Sequence, residues 1–407
     1  MTIPPRASRE EIEKKRAGRT VRFLLTGGTG FLGSHIAVEL LKRGHRVKLL
    51  ARSGKDQRAQ VRVREILDWF GLPAGERRAL EVVEGDIVQA GLGAGGAALV
   101  TLLRETDEVI HCASNTAFPE KKRAAVEAVN SGGLANVLDF ARESRAYFFH
   151  HVSTAFVAGK TAGPCREELV APRDFWNVYE ETKCRGEHAA AAACREAGLG
   201  LTIYRPSIVY GDSRTGRSRL FNAVYFPVRT ALFFKDLYEK DIRERGGKKA
   251  AEMGVRLEGD GSLHLPLRIE VANEGGLDLI PVDHFTAALL ALMEEATEGG
   301  IFHITNGRPT RVEDIIDYGS RLFHLTGIRA CGEEEFKERP RNPLETLYEH
   351  YVEAYGPYMK DTRVFESTRC GPVLARRGLT CPKFDFEVFA RCMTYAVETG
   401  WGARLRA

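Results

Sequence analysis

Tyr179 and Lys183 are the residues of this chain whose types and spacing best suit catalysis. They lie four positions apart in a stretch with a helical pattern, so both side chains project from one face of a helix. A tyrosine phenol has an ordinary pKa of about 10 and needs help to exchange a proton near neutral pH. A cationic lysine one turn away favours the phenolate, and we therefore expect Lys183 to lower the pKa of Tyr179.

A third catalytic group is expected from Thr154, which lies 25 positions before Tyr179 at the end of a predicted strand over residues 147–152. Its hydroxyl can bond a substrate carbonyl oxygen beside the tyrosine hydroxyl. Ser153 is the nearby alternative, and it ranks second because successive strand side chains point to opposite faces. The Tyr-x-x-x-Lys pattern is common by chance, so the assignment depends on the elements that surround it.

Those elements are organised around residues 21–33, where an apolar run with strand character ends in glycines and a helical pattern follows. The glycines fit Gly27-x-x-Gly30-x-x-Gly33 and also a narrower pattern that starts at Gly28. Glycine permits a sharp turn and lets a pyrophosphate approach the main chain, and the next helix offers its free N–H groups to the anion. This order of strand, turn and helix predicts a dinucleotide-binding site.

The type of dinucleotide is expected to depend on the end of the second predicted strand, about 20 residues after the glycines. An acidic residue there would bond the ribose of NAD, but this chain has Arg52, followed by Arg62. An arginine can stack on adenine and pair with a 2′-phosphate, so the sequence predicts NADPH. The alternative is a solvated arginine at a strand end.

Two further strand ends are candidates for cofactor contacts. The predicted strand over residues 80–83 leads to Asp86 and Ile87, which are expected to bond the adenine amino group and to pack on its ring. An ordinary turn aspartate is the alternative. The predicted strand over residues 108–112 leads into small residues that let phosphates and ribose lie close. Asn130, inside a predicted helix, is either solvated or a tie between neighbouring strands.

Strands and helices alternate over about 130 residues, which predicts an α/β fold with a Rossmann-type doubly wound parallel sheet. We expect a polar N-terminal arm over residues 1–20 and an NADP(H)-binding domain over 21–206. A smaller, mixed substrate-binding region with a helical C-terminal extension is expected over 207–407. The chain is expected to return to the Rossmann domain near 277–305.

The composition excludes several classes of function. Lys and Arg number 59 against 55 Asp and Glu, a balance that gives no reason to expect a nucleic-acid partner. No apolar run reaches the length of a membrane span, and the first twenty residues lack the apolar part of a secretory signal, so a cytoplasmic protein is expected. Neither the eight cysteines nor the histidines have metal-ligand spacing, and no metal is expected.

Five motifs together resemble those of the extended short-chain dehydrogenase/reductase superfamily; they lie at residues 26–33, 85–87, 152–154, 179–183 and 205–207. The resemblance implies a catalytic triad of Thr154, Tyr179 and Lys183. The cofactor-binding residues that it implies are Thr26, Gly27, Thr29, Gly30, Phe31, Leu32, Gly33, Arg52, Arg62, Asp86, Ile87, Cys112, Ala113, Ser114, Tyr179, Lys183, Pro206, Ser207 and Ile208.

Within that superfamily the chain looks most like fatty acyl-CoA reductases and the terminal thioester reductase domains of carboxylic acid reductases and peptide synthetases. The stretches that carry this likeness are residues 49–52, 111–118, 205–216 and 279–283. The likeness implies NADPH-dependent reduction of an acyl-CoA or a carrier-bound acyl thioester, by a monomer or homodimer. It leaves open whether the product is the aldehyde or the alcohol.

Other interpretations stay open at this point. One is a reductase, epimerase or dehydratase for a ketone, a steroid-like compound or a nucleotide sugar, and another is a dinucleotide sensor with a dead site. The predicted helix over residues 217–246 has an apolar stretch that suits an acyl tunnel, a peripheral membrane contact or the core. Residues 246–261 are expected to form a mobile loop, and Asp283 to cap a helix. The tail over 331–407 is not assigned.

Overall fold

The structure is a computed structural model that describes residues 9–16, 18–54, 56–272 and 274–403. The first eight residues of the predicted N-terminal arm therefore lie outside the described residues. The described part of the arm contains a helix, Arg9–Arg16. Its Ile12 is buried in a small cluster with Tyr147 and Phe148, and Arg16 forms an ion pair with the buried Glu108.

The described residues form strands that we number in chain order. They are β1 (Arg22–Thr26), β2 (Arg46–Ala51), β3 (Leu80–Glu84), β4 (Glu108–His111), β5 (Phe148–Val152), β6 (Gly163–Cys165), β7 (Gly200–Pro206), β8 (Ile208–Tyr210), β9 (Arg256–Leu257), β10 (Leu263–Glu270), β11 (Leu279–Pro281), β12 (Gly300–Ile304), β13 (Leu325–Cys331) and β14 (Arg363–Phe365).

The α-helices are numbered in the same way. They are α1 (Arg9–Arg16), α2 (Phe31–Lys42), α3 (Ala59–Trp69), α4 (Ala74–Arg77), α5 (Gly96–Glu105), α6 (Arg123–Glu127), α7 (Leu134–Glu143), α8 (Val178–Ala197), α9 (Tyr225–Arg245), α10 (Lys248–Glu252), α11 (Val282–Glu295), α12 (Val312–Phe323), α13 (Glu333–Glu338), α14 (Pro343–Val352), α15 (Gly356–Met359), α16 (Cys370–Arg376) and α17 (Phe386–Glu398).

Seven strands form one parallel sheet in the order β12-β7-β5-β4-β1-β2-β3. From β1 the chain continues through β2 and β3 on one side of the sheet and through β4 and β5 on the other, so the strand order reverses at β1. In such sheets ligands bind in the crevice at the carboxyl ends of the strands at that point. Successive residues of β1 serve different cores, because Phe23 and Leu25 belong to one apolar cluster and Leu24 to another. The predicted Rossmann-type doubly wound fold is confirmed.

A separate apolar core lies in part of the region after residue 207. There β10 pairs with β9 and β13, and residues of α9, α10 and α14 pack against this small sheet. The mobile loop expected over residues 246–261 is wrong, because this stretch contains α10 and β9. Ala250 and Val255 are buried there, and the carboxylate of Asp241 accepts a hydrogen bond from the Ala250 N–H.

Asp283 does not cap α11 as expected. Pro281 stands at the cap position, and the Asp283 carboxylate accepts hydrogen bonds from the backbone N–H and the hydroxyl of Ser213, over 2.9 and 2.8 Å. The contact fixes the loop after β8 to the start of α11. The Asp283 carboxylate thus bonds a residue 70 positions away instead of the N–H groups of its own helix. Local sequence spacing does not reveal such a contact.

The turn between β1 and α2 is packed too closely for any side chain at Gly27. This residue has a φ of 75°, and a Cβ atom added to it would lie 2.5 Å from the Ala113 nitrogen at the end of β4. Gly33 has the same constraint, because its Cβ would overlap the Gly27 carbonyl group. Gly28, which begins the narrower glycine pattern, is also constrained, because its Cβ would lie 2.6 Å from the Leu49 side chain, but only Gly27 of the two has a positive φ.

Replacing Gly27 by alanine should therefore separate the turn from the end of β4. Gly27→Ala combines left-handed backbone strain of about 1–2 kcal/mol with an overlap that adds about 1–3 kcal/mol. Gly44→Ala is the matched control, because Gly44 has a φ of 78° with nothing within 4 Å of an added Cβ. Urea unfolding measures both losses, and equal losses in the two variants would contradict the packing account.

Candidate active site

A cavity of about 380 Å³ lies at the carboxyl ends of β1, β4, β5 and β7. It brings together residues from the glycine turn, from the predicted triad and from the strand ends. Those among the sequence-predicted site residues are Gly27, Gly30, Phe31, Leu32, Gly33, Cys112, Ser114, Thr154, Tyr179, Lys183, Pro206, Ser207 and Ile208. One cavity is therefore lined by both the glycine turn and the three predicted catalytic residues.

Helix α8 carries Tyr179 and Lys183 and is fixed at both ends. The side chain of Asn177 caps its start by accepting the Glu180 N–H over 3.0 Å, and Gly198 ends it in a left-handed conformation. A buried ion pair of 2.6 Å between Glu187 and Arg205 joins the middle of the helix to β7. The capping residue and the small residues of the helix explain why it forms and packs closely.

Burial dominates the protonation of the two α8 side chains. Burial raises the pKa of the Tyr179 phenol above its ordinary value, and a hydrogen bond with Thr154 lowers it by less. The expectation that Tyr179 has a lowered pKa is therefore wrong. Lys183 donates a hydrogen bond of 2.6 Å to the Val152 carbonyl oxygen, and burial lowers its pKa to about 8.

Thr154 and Ser153 both line the cavity at the end of β5. The Thr154 hydroxyl accepts a hydrogen bond from the Phe156 N–H over 3.4 Å and lies 3.5 Å from the Pro206 carbonyl oxygen. The buried Ser153 hydroxyl has no hydrogen-bond partner within the described part of the chain. A buried hydroxyl without a partner is costly, so a ligand in the cavity is a natural partner for Ser153.

Asn130 is a structural residue of the site that the sequence left undecided. It lies in a π-helical turn, Ala128–Gly133, and its side chain is buried. Its amide oxygen accepts from the Asn115 N–H and the Ser114 hydroxyl, and its amide nitrogen donates to the Asn115 carbonyl and the Thr182 hydroxyl. It thus ties the loop after β4 to α8. The Ser-Gly-Gly that follows Asn130 is the one local feature of the sequence that indicated an irregular helix here.

Several sequence-predicted cofactor residues do not line the cavity. Thr26 is buried and its hydroxyl is hydrogen-bonded to His111 over 2.9 Å, while Ala113 donates its N–H to Thr26 over 3.4 Å. Thr29 is half-buried beside the glycine turn. Ile87 is buried against Gly133, where an added Cβ would lie 2.7 Å from its side chain. Its side chain therefore belongs to the core, which explains why it is apolar.

Arg52, Arg62 and Asp86 lie together at the ends of β2 and β3, outside the cavity lining. Arg52 is 64% exposed and forms an ion pair of 3.4 Å with Asp86. Arg62 donates a hydrogen bond of 2.7 Å to the Arg52 carbonyl oxygen. The two guanidinium groups are thus gathered at one strand end, where they remain accessible to an anion.

These residues fit a dinucleotide. The turn from Gly27 to Gly33 is so closely packed that a Cβ at either end would overlap backbone atoms, and the first turn of α2 beside it has N–H groups without helical partners. The residues that would hold the dinucleotide are the glycine turn, Cys112, Ser114, Lys183 and the strand end at residues 206–208. When bound, the dinucleotide would supply hydride chemistry.

One side of the cavity is an aromatic wall that the sequence did not predict. It consists of Phe118, Phe156, Tyr355 and Tyr358. Tyr358 packs on Phe118, with ring centroids 5.5 Å apart, and Phe118 lies 6.1 Å from the Tyr179 ring. The Tyr358 hydroxyl also donates to the buried Glu180 carboxylate over 2.7 Å. The C-terminal segment over residues 331–407 therefore contributes to the site, and no local sequence pattern predicted this contribution.

The described residues contain no group of three or more histidine, cysteine or acidic side chains arranged to hold a metal ion. They also contain no helix that is both long enough and apolar enough to cross a membrane.

A family model described as "Male sterility protein", for NAD-binding proteins, matches residues 25–289. The chain belongs to this family. A relative from Brevibacillus parabrevis, one of the proteins of linear gramicidin synthase, is 26% identical over 404 residues, which are 93% of this chain and 7% of the relative. The chain therefore spans a small part of that protein's length. Family membership makes the chain an oxidoreductase of the nicotinamide-dinucleotide class.

Two solved structures have the same fold. The terminal R domain from the myxalamid PKS-NRPS pathway has a TM-score of 0.73 and 23% identity, with 98% of this chain and 94% of that chain covered. A thiolation-reductase di-domain from an archaeal non-ribosomal peptide synthetase has a TM-score of 0.71 and 20% identity, with 94% and 76% covered. Both structures are under 25% identical to this chain, and the likeness shows that they share its Rossmann-type fold.

Removing the Asn130 side chain should loosen the site. Asn130→Ala removes four hydrogen bonds and leaves the half-buried backbone N–H and carbonyl groups of Asn115 without these partners, while the Thr182 hydroxyl keeps its bond to the Tyr179 carbonyl oxygen. We expect the change to lower the free energy of unfolding by about 3 kcal/mol. Asn136→Ala is the control, since the Asn136 amide makes one hydrogen bond, to the Ile87 carbonyl. It should cost about 1 kcal/mol. Urea unfolding tests both, and a loss in Asn130→Ala no larger than the control's would contradict this role.

Proposed function

We propose that this protein is an NADPH-dependent reductase of acyl thioesters. The observation that carries the proposal is that Thr154, Tyr179 and Lys183 line the same cavity as the glycine turn. The reaction converts R–CO–S–R′ to the aldehyde R–CHO and the thiol R′–SH, with one hydride and one proton consumed. A second round of hydride transfer would reduce the aldehyde to an alcohol.

The protonation states of the site suit this reaction. Because its pKa is raised, the Tyr179 phenol stays protonated near neutral pH and can donate a hydrogen bond to the thioester carbonyl oxygen. Thr154 adds a second hydroxyl beside it. Such donors stabilise the carbonyl oxygen most when it gains negative charge, which lowers the barrier to hydride addition. The ammonium of Lys183, with a pKa of about 8, can return a proton toward the phenol.

The carrier of the thioester is part of the proposal. The archaeal structural relative combines a reductase with a thiolation domain, and this supports a carrier-bound thioester as the substrate. An acyl-CoA is the other form of thioester that we propose. The aromatic wall and the apolar residues around the cavity favour the acyl part of such a substrate over a sugar nucleotide. We further propose a cytoplasmic location, in keeping with eight cysteines that are all free.

Tyr179→Phe should abolish most of the reductase activity while the protein stays folded. Loss of the phenolic proton donor is expected to lower kcat about 100- to 10,000-fold. Loss of NADPH absorbance with acyl-CoAs and acyl-pantetheines measures the rate, and NADPH fluorescence measures cofactor binding as the control. An unchanged rate in Tyr179→Phe would contradict the proposal, as would a wild-type protein that reduces ketones or sugar nucleotides but no thioester.

The preference for NADPH is proposed to come from Arg52, assisted by Arg62. Arg52→Glu removes a charge-assisted bond to the 2′-phosphate and should raise KM for NADPH roughly 10- to 100-fold with little change for NADH. Arg46→Glu is the matched control, because Arg46 is an exposed residue at the opposite end of the same strand, β2. Equal effects of Arg52→Glu on NADPH and NADH would refute the assignment.

A further inference from the structure

A second, smaller cavity of about 80 Å³ adjoins the candidate active site. It lies between α9, α12 and the sheet formed by β10 and β13. Val224, Pro227, Leu277 and Met359 line both this cavity and the active-site cavity. The two spaces are therefore neighbours that share one apolar boundary.

The lining of the second cavity is almost entirely hydrocarbon. Among the described residues that line it, none carries a charge, and Ser320 and Tyr348 are the only ones with a polar side-chain atom. The first cavity differs, because it has the hydroxyl groups and the ammonium described above. The polarity thus falls from the catalytic groups toward α12, as it does along a molecule with a polar head and an alkyl tail.

Several apolar side chains around the second cavity are only half-buried. Val228, Leu232 and Ile316 have this intermediate exposure, although they face a space between packed elements. Apolar cavities stay dry and bind apolar molecules, because water finds no hydrogen-bond partners there. Covering such surface with hydrocarbon is favourable, so the physical properties of the space select an alkyl chain over a polar or charged group.

We propose that the second cavity binds the hydrocarbon chain of a fatty acyl thioester, so that the substrates are fatty acyl rather than short or polar acyl groups. This inference rests on the proposed function, because it needs the thioester carbonyl beside Tyr179 and Thr154. The chain then passes between Pro227 and Leu277 and ends against α12. A charged or polar acyl group gains nothing from this lining and loses its hydration.

A chain-length series on the wild-type protein provides the first test. The kcat/KM for saturated acyl-CoAs from two carbons upward should rise about fourfold for each methylene that enters the cavity, and then level off. An acyl group of the same length with a terminal carboxylate should lose this gain. A kcat/KM that does not depend on chain length would overturn the inference.

Variants that fill the cavity provide the second test. Ala231→Phe, on α9, should remove the preference for long chains while the activity toward the shortest thioesters is kept. Gly319→Leu, on α12, should do the same from the other wall; an added Cβ there meets only Phe389, at 3.9 Å. Leu237→Phe is the matched control, because Leu237 is an exposed residue of α9 outside the lining. It should leave the chain-length profile unchanged.

The outcomes separate this inference from the proposed function. If wild type reduces no thioester of any length, the proposed function fails. If it reduces short thioesters as well as long ones, or if the filled variants keep the wild-type profile, only the fatty acyl specificity fails. The inference is supported if Ala231→Phe and Gly319→Leu shorten the preferred acyl chain and Leu237→Phe leaves it unchanged.

Discussion

The structure of the candidate site depends on how helix α8 is held against the end of β5. Lys183 bonds the Val152 carbonyl, and Thr182 accepts from the buried Asn130. At the start of the helix, Tyr358 bonds both Asn177 and Glu180. Buried hydrogen bonds are costly to break, so these contacts fix Tyr179 relative to the glycine turn to within small displacements. Catalysis needs that precision, since misplacement of reacting groups lowers rates steeply.

The same burial controls the chemistry of the site. It keeps the Tyr179 phenol protonated and lowers the pKa of Lys183 to about 8. A protonated phenol is a hydrogen-bond donor, and a lysine with this pKa exchanges protons near neutral pH. Hydrogen bonds that form in a site of low polarity also stabilise a developing negative charge more than they do in water. Packing and reactivity thus have one physical cause.

Local patterns in the sequence were sufficient for the sheet, for the glycine turn and for the placement of Tyr179 and Lys183 on one helix. Each depends on residues within one strand, turn or helix, such as the four-residue spacing of Tyr179 and Lys183. Features made by distant residues were not predicted: Tyr358 reaches Glu180 across 178 positions, and Asp283 bonds Ser213 across 70. The raised pKa of Tyr179 was also missed, because sequence spacing shows the neighbouring lysine and not the depth of burial.

The most direct test of the central claim is a single turnover with an acyl thioester and NADPH in which both hydrogens at C4 of the nicotinamide ring are deuterium, followed by mass spectrometry of the product. If Tyr179 and Thr154 hold the thioester carbonyl beside the bound cofactor, each aldehyde carries one deuterium on the former carbonyl carbon. An aldehyde without deuterium, or a carboxylic acid released by hydrolysis, would contradict the account.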